Sequence, residues 1–394
     1  MKRRNILMSA GAFATMGATF LLDSQLKAHE KIENQNQHFG RMKQYIRTGY
    51  VRTARHKSFY LEAGPRRHRS AIVFVHGWPE ISWAWRNQLV AFSSLGFRVV
   101  APDLRGCGQS NLYSTHSAYA QREIVQDMLE LVDSLDIDRA IWVGHDWGAP
   151  VVWNIASHHP NRCHGVVALT VPYDTLERGV ERLREFIDRT VYPEIQFPYG
   201  QYEYYKFYQE NFDIATQDFE ANIENTFKIL LRRGDPAQAG KPFPTAFVRL
   251  QGGWFGPTRV APDVPLDTSI LTPSDLAIYV DAYQRTGFVG VNSLYMNDAN
   301  NLVYANEAMN NGILKMPVLF LAGTYDYIND TVRTNLINPM KKKCRRLTIN
   351  QIDSGHWMQH ERAEEVNKLL SRWIAINCPS IWGRYSAGET HLIS

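Results

Sequence analysis

Three stretches of this chain are apolar almost without interruption and stop abruptly at a turn: "SAIVFVHG" from Ser70, "FRVVAPD" from Phe97 and "RAIWVGHD" from Arg139. A strand with one wet face alternates apolar and polar residues, so continuous runs mark strands covered on both faces. Helical spacing lies between them, as from Tyr119 to Leu135, where Ile124, Val125, Met128, Leu131, Val132 and Leu135 are apolar. Buried strands alternating with helices predict a parallel sheet with right-handed crossovers. "VLFLAGTYD" and "RLTINQIDSGH" add two strands near the C-terminus, followed by a helix from Ala363 to Asn377. Two antiparallel strands are predicted from Tyr45 to Arg55 and from Lys57 to Ala63. The fold class is α/β: a mostly parallel sheet flanked by helices.

Between about Asp174 and Lys315 this pattern breaks. Segments such as "YYKFYQENF", "FEANIENTFKILLR" and "SDLAIYVDAYQRTG" have helical spacing, and a Pro/Gly stretch runs from "AGKPFPTAF" to "GGWFGPTRVAPDVP". Both flanking halves are needed to finish one core, so residues 174–314 read as a helical cap, or lid, inserted between core halves 40–173 and 315–380. Residues 381–394 read as a polar tail.

The first 28 residues have the layout of an export signal: Lys2-Arg3-Arg4, then an uncharged apolar run from Ile6 to Leu22, then Ala28 before a polar stretch. The Arg3-Arg4 pair resembles a twin-arginine signal of bacteria, which implies a periplasmic or secreted protein. The alternative is an uncleaved anchor in the inner membrane, the one route to a membrane that the sequence offers. A net charge of +4 with interspersed signs provides no basic stripe for nucleic acid, and the cluster Lys341 to Arg346 reads as a solvated loop. Four scattered cysteines suit neither a disulfide framework nor a zinc site, although Cys344 and Cys378 could pair in an oxidising compartment. No dinucleotide fingerprint is present either, so neither a metal nor a cofactor is expected.

The chemistry concentrates at strand ends. Gly144-His145-Asp146-Trp147-Gly148 has the form Gly-x-nucleophile-x-Gly, a strained strand-to-helix turn that lifts one side chain above the sheet. Here that side chain is a carboxylate. His76-Gly77-Trp78-Pro79 follows the first long strand, and the backbone N–H groups of Trp78 and Trp147 are read as an oxyanion hole. Asp326 follows "VLFLAGTY" and His356 follows "INQIDSG", in the chain order nucleophile, acid, base. Asp330 and Asp353 are alternatives to Asp326, and His360, one turn beyond His356, reads as helical surface.

Together "HGWPEISWAWRNQL", "APDLRGCGQS", "VGHDWGAPVVW", "GTYD" and "SGHWMQHERAEEVN" resemble the α/β-hydrolase fold, specifically its epoxide hydrolase branch, from Ala71 to Trp373. Within the cap, "YEYYKFYQE" and "FVGVNSLYMN" look like that branch's two tyrosine motifs. The resemblance implies Tyr204 and Tyr295 as proton donors, with Tyr205 the competitor of Tyr204, and Trp147 and Trp357 in the substrate pocket. It implies a small apolar epoxide and water as partners, attack by Asp146 to give an ester, and hydrolysis of that ester by water that His356 and Asp326 activate. A dehalogenase using the same aspartyl ester is the nearest alternative; a lid-covered binding protein without turnover is another.

Overall fold

A computed structural model describes residues 45–382. The export segment read over residues 1–28 and the tail past 382 lie outside the described residues. The described residues from Ile46 to Trp382 belong to one unit. It enters through β1 (Arg47–Arg52) and β2 (Lys57–Ala63), which pair antiparallel. Then come β3 (Ser70–Val75), α1 (Arg86–Ser94), β4 (Val99–Pro102), α2 (Gln121–Ser134) and β5 (Arg139–His145). After β5, α3 (Gly148–His158) leads to β6 (Cys163–Leu169). The chain then leaves the sheet and returns as β7 (Leu314–Gly323) and β8 (Cys344–Ile352).

The sheet order is β1-β2-β4-β3-β5-β6-β7-β8, and every pair from β4 to β8 is parallel. β3 through β7 carry the core: Ile72, Val73, Phe74, Ile141, Val143, Val166, Val167, Leu319 and Phe320 are fully buried. The winding direction reverses between β3 and β5, since β4 lies to one side of β3 and β5 to the other. Ligands of open α/β sheets bind outside the carboxyl ends of the strands at such a reversal. The carboxyl ends there are His76-Gly77-Trp78 and His145-Asp146.

Two details differ from the sequence reading. β6 was not foreseen. The basic cluster is not a loop, because Lys341–Lys343 close a short helix (Asn338–Lys343) and Arg345 and Arg346 stand exposed on β8. All four cysteines are buried and free, packed as small hydrophobes, and of the two left open for pairing, Cys344 and Cys378, neither is joined.

Between Asp174 and Ile313 the described structure is helix and loop: α4 (Glu203–Glu210), α5 (Phe212–Glu220), α6 (Ile223–Leu230) and α7 (Pro273–Thr286), with a further helix over Asp298–Asn306 and shorter turns. α7 starts where its sequence says it should. Thr272 accepts from the Asp275 N–H, the Asp275 carboxylate accepts from Thr272, and Pro273 takes the first helical position, where its missing N–H is harmless. The long helix near the C-terminus, α8 (Ala363–Asn377), packs beside α1 and β7.

Candidate active site

At the end of β5 the chain turns into α3 with Asp146 at φ +49°, a left-handed conformation that costs a non-glycine residue energy and is retained where the surroundings impose it. Two glycines make the turn possible. A Cβ on Gly148 would stand 2.2 Å from the Val75 carbonyl oxygen, and one on Gly77 would stand 2.5 Å from the Asp146 Cβ. The neighbouring strand can approach closely, and the Trp78 N–H donates to Asp146 Oδ1 at 2.7 Å.

The other carboxylate oxygen, Oδ2, lies 3.5 Å from His356 Nε2, while His356 Nδ1 meets Asp326 Oδ2 at 3.0 Å. Asp326 is fixed in turn by the N–H groups of Ile328 and Asn329 on its Oδ1. Neither competitor reaches the imidazole: Asp330 pairs with Arg333 and Asp353 accepts from Thr324. Burial opposes charge on Asp146, yet its carboxyl is held below the ordinary value, first by His356 and then by His145 and the Trp147 N–H. Burial also opposes protonation of His356, but Asp326 and Asp146 together raise it to about 10. The resting site is thus a buried carboxylate–imidazolium pair.

Above it stand the cap tyrosines. Tyr204 and Tyr295 meet edge-on at 5.8 Å between ring centroids. Burial raises the pKa of both; the Asp146 charge adds to each, and the Tyr295 phenol pulls Tyr204 back. Both are neutral hydrogen donors at any physiological pH. Tyr205 is committed elsewhere, its hydroxyl donating to Asp298. The two tryptophans assigned to a pocket are placed differently. Trp357 lines a cavity of about 820 Å3, with its indole N–H on the Leu230 carbonyl at 2.9 Å. Trp147 is not in that lining; its ring packs against Tyr205 and Tyr295, and its indole N–H pulls the Tyr295 pKa back. The cavity is walled by Leu230, Phe243 and Phe255 and reaches Trp254 and His356.

A buried polar layer beneath the site has no counterpart in the sequence reading. His360 is not surface: it is buried, Arg86 Nη1 donates to its Nδ1 at 2.8 Å, and its Nε2–H donates to Glu80. Gln359 Nε2 donates to Glu80 at 2.7 Å and lies 3.2 Å from His145 Nδ1, leaving His145 Nε2–H to donate to the His356 carbonyl at 2.8 Å. Burial works against ionisation of Glu80, but His360 and His145 hold it well below the usual carboxylate range. Breaking one partner out of a buried charged set costs about 3–5 kcal/mol, so this layer locks the His145 tautomer and, through it, the loop carrying His356. The available signal was position: Glu80 follows His76-Gly77-Trp78-Pro79 directly, and His145 directly precedes Asp146.

Cap and core also meet at one carboxylate. Glu361 Oε2 accepts from the Gly234 N–H at 3.1 Å and the Gly355 N–H at 2.8 Å. A Cβ on Gly234 would stand 2.5 Å from the Gly355 Cα. Among the described residues no group of three or more His, Cys, Asp or Glu is placed to hold a metal.

A sheet of this order, with a sharp carboxylate-bearing turn after the fifth strand and acid and histidine after the last two, defines the α/β-hydrolase fold. The chain belongs to the alpha/beta hydrolase fold family, whose model matches residues 70–363. Among curated proteins it is similar to epoxide hydrolase B of Mycobacterium tuberculosis, 32% identical over 338 residues that cover 78% of this chain and 92% of the relative. It is also similar to bifunctional epoxide hydrolase 2 of mouse, 29% identical over 77% of this chain; there it spans about half the relative's length, 51%. Among solved structures, epoxide hydrolase A of Mycobacterium thermoresistibile superposes with a TM-score of 0.66 at 28% identity, covering 84% of this chain and 98% of that one.

Proposed function

We propose that this protein is an epoxide hydrolase acting on small, largely apolar epoxides, with Asp146 as nucleophile. One observation carries the reading: Asp146 has one oxygen on the Trp78 N–H and the other 3.5 Å from His356 Nε2, beneath two buried phenols that feel its charge. An oxirane needs a push at carbon and a pull at oxygen. Asp146 Oδ2 attacks a ring carbon, the C–O bond breaks, and Tyr204 or Tyr295 protonates the departing oxygen. The phenolate so formed regains a proton from His356. Ester formation has removed the charge that held that proton, so His356 is left neutral.

The imidazole, oriented by Asp326, then takes a proton from water, and hydroxide attacks the ester carbonyl carbon. Its oxyanion is the former Oδ1, which accepts from the Trp78 N–H, with the Trp147 N–H beside the same carboxyl as second donor. Collapse expels the diol alkoxide, which takes the new carboxyl proton, and Asp146 and His356 end ionised as they began. The dehalogenase reading would use the Trp147 indole N–H to hold a halide, but that N–H lies against the Tyr295 hydroxyl. A single turnover in heavy-oxygen water tests the scheme: label is expected in the protein at Asp146. Label arriving at once in the diol would sink it.

Export through residues 1–28 is also our proposal, resting on the twin-arginine layout. The mature chain in a bacterial host is expected to begin at His29, and Arg3→Lys with Arg4→Lys to leave the precursor uncleaved. An unprocessed wild-type chain in the cytoplasm would refute it.

A further inference from the structure

Most buried phenols and indoles around this site have partners: Tyr205 on Asp298, Tyr279 on Glu80, Trp78 on Asn292 and Trp357 on the Leu230 carbonyl. Two do not. The Tyr208 hydroxyl and the Trp254 indole nitrogen are both buried and make no hydrogen bond of acceptable geometry. They are neighbours: the rings lie 6.3 Å apart, and the indole N–H is directed at the Tyr208 oxygen from beyond good hydrogen-bond geometry, opposing the rise that burial and Tyr204 give the Tyr208 pKa and leaving the Tyr208 O–H without an acceptor. Leaving such a group unpaired costs about 1–3 kcal/mol, and here two such groups are on neighbouring rings.

Their placement ties them to the substrate path. Tyr208 is one helical turn beyond Tyr204 on α4, so both lie on one face of it, and its ring meets Tyr295 at 4.7 Å. The Asp146 charge reaches it. Trp254 packs on Tyr204 at 5.6 Å and on Trp78 at 5.9 Å, and it also lines the large cavity. The pair therefore touches that cavity through Trp254 and the two phenols read as proton donors through both rings. Its loop is anchored by Arg259, whose Nε donates to Asp218 at 2.7 Å.

Building on the epoxide reading, we propose that Tyr208 Oη–H and Trp254 Nε1–H form a two-donor subsite for an acceptor oxygen on the substrate, one or two carbons from the oxirane. The substrate class is then oxygenated epoxides, such as glycidyl ethers and α,β-epoxy ketones, rather than plain hydrocarbon epoxides. The donors make no demand on the chemistry of the ring opening. They select and orient, and so are specificity-determining residues.

The test uses a matched pair, phenyl glycidyl ether and 2-(2-phenylethyl)oxirane, which differ by an oxygen for a methylene. Tyr208→Phe and Trp254→Phe are each expected to lower the kcat/KM ratio of ether to hydrocarbon by about 3- to 10-fold, the worth of one hydrogen bond, whatever they do to absolute rates. Binding of the corresponding diols, 3-phenoxypropane-1,2-diol and 4-phenylbutane-1,2-diol, should show the same loss of preference by calorimetry. Unchanged ratios in both variants, with both epoxides turned over, overturn the subsite and leave the epoxide reading standing. Turnover of neither epoxide by the wild type overturns the epoxide reading, and the diol preference alone then decides whether the two donors bind an oxygen.

Discussion

Asp146→Asn is expected to lower turnover by about 10⁴-fold or more, because the amide oxygen is too weak a nucleophile to open an oxirane. The amide still accepts from the Trp78 N–H, so the elbow keeps its shape. The change should also be visible at His356, whose raised pKa depends on Asp326 and then Asp146. Losing the Asp146 charge moves His356 down, which proton-detected NMR of the ring reads directly. The same shift governs stability. The folded value, about 10, lies above the ordinary 6.5. The stabilisation is therefore complete below about pH 6.5 and is lost as pH rises towards 10, because the folded state then binds more protons than the unfolded one. Denaturant melts across that window should fall with pH in the wild type and fall less in Asp146→Asn. A slope unchanged by the substitution would contradict the ion pair.

His356→Gln is expected to separate the two halves of the reaction. Ring opening needs Asp146 and the phenols, whereas hydrolysis of the ester needs the imidazole to take a proton from water. The variant should consume about one equivalent of epoxide, gain the mass of the substrate on the peptide carrying Asp146, and release diol about 10³-fold or more slowly than wild type. Asp326→Asn should be milder, since its role is to orient and charge His356 through Nδ1. A His356 variant that turns over repeatedly, with no adduct, would mean that water attacks the epoxide directly.

How far the sequence could carry the reading follows from which interactions are local. β3 and β5 were legible because a strand buried on both faces is a continuous apolar run, and the elbow because two glycines flank one acidic residue. β6 was not: "CHGVVAL" carries a histidine and a glycine early in a short run, and its burial comes from β5 and β7 on either side. His360 looks like helix surface by spacing alone; it is buried because Arg86 and Glu80, more than 270 residues earlier, converge on its two ring nitrogens. Tyr204 and Tyr205 are adjacent and chemically identical. Asp298, 93 residues from Tyr205, separates them by claiming the Tyr205 hydroxyl. The family resemblance supplied the tyrosine motifs but said nothing of Tyr208 and Trp254, whose pairing joins a helix to a distant glycine-rich loop.

The shared seat of Gly234 and Gly355 on Glu361 limits how this scaffold can be remodelled. Lids of this architecture look like interchangeable modules, since they enter and leave the sheet at two neighbouring points. Here a grafted lid would have to arrive with a bare backbone at position 234, because any side chain would shove aside the segment that holds the general base. Directed evolution of new selectivity should therefore tolerate variation along the cavity wall and reject it at that touching point.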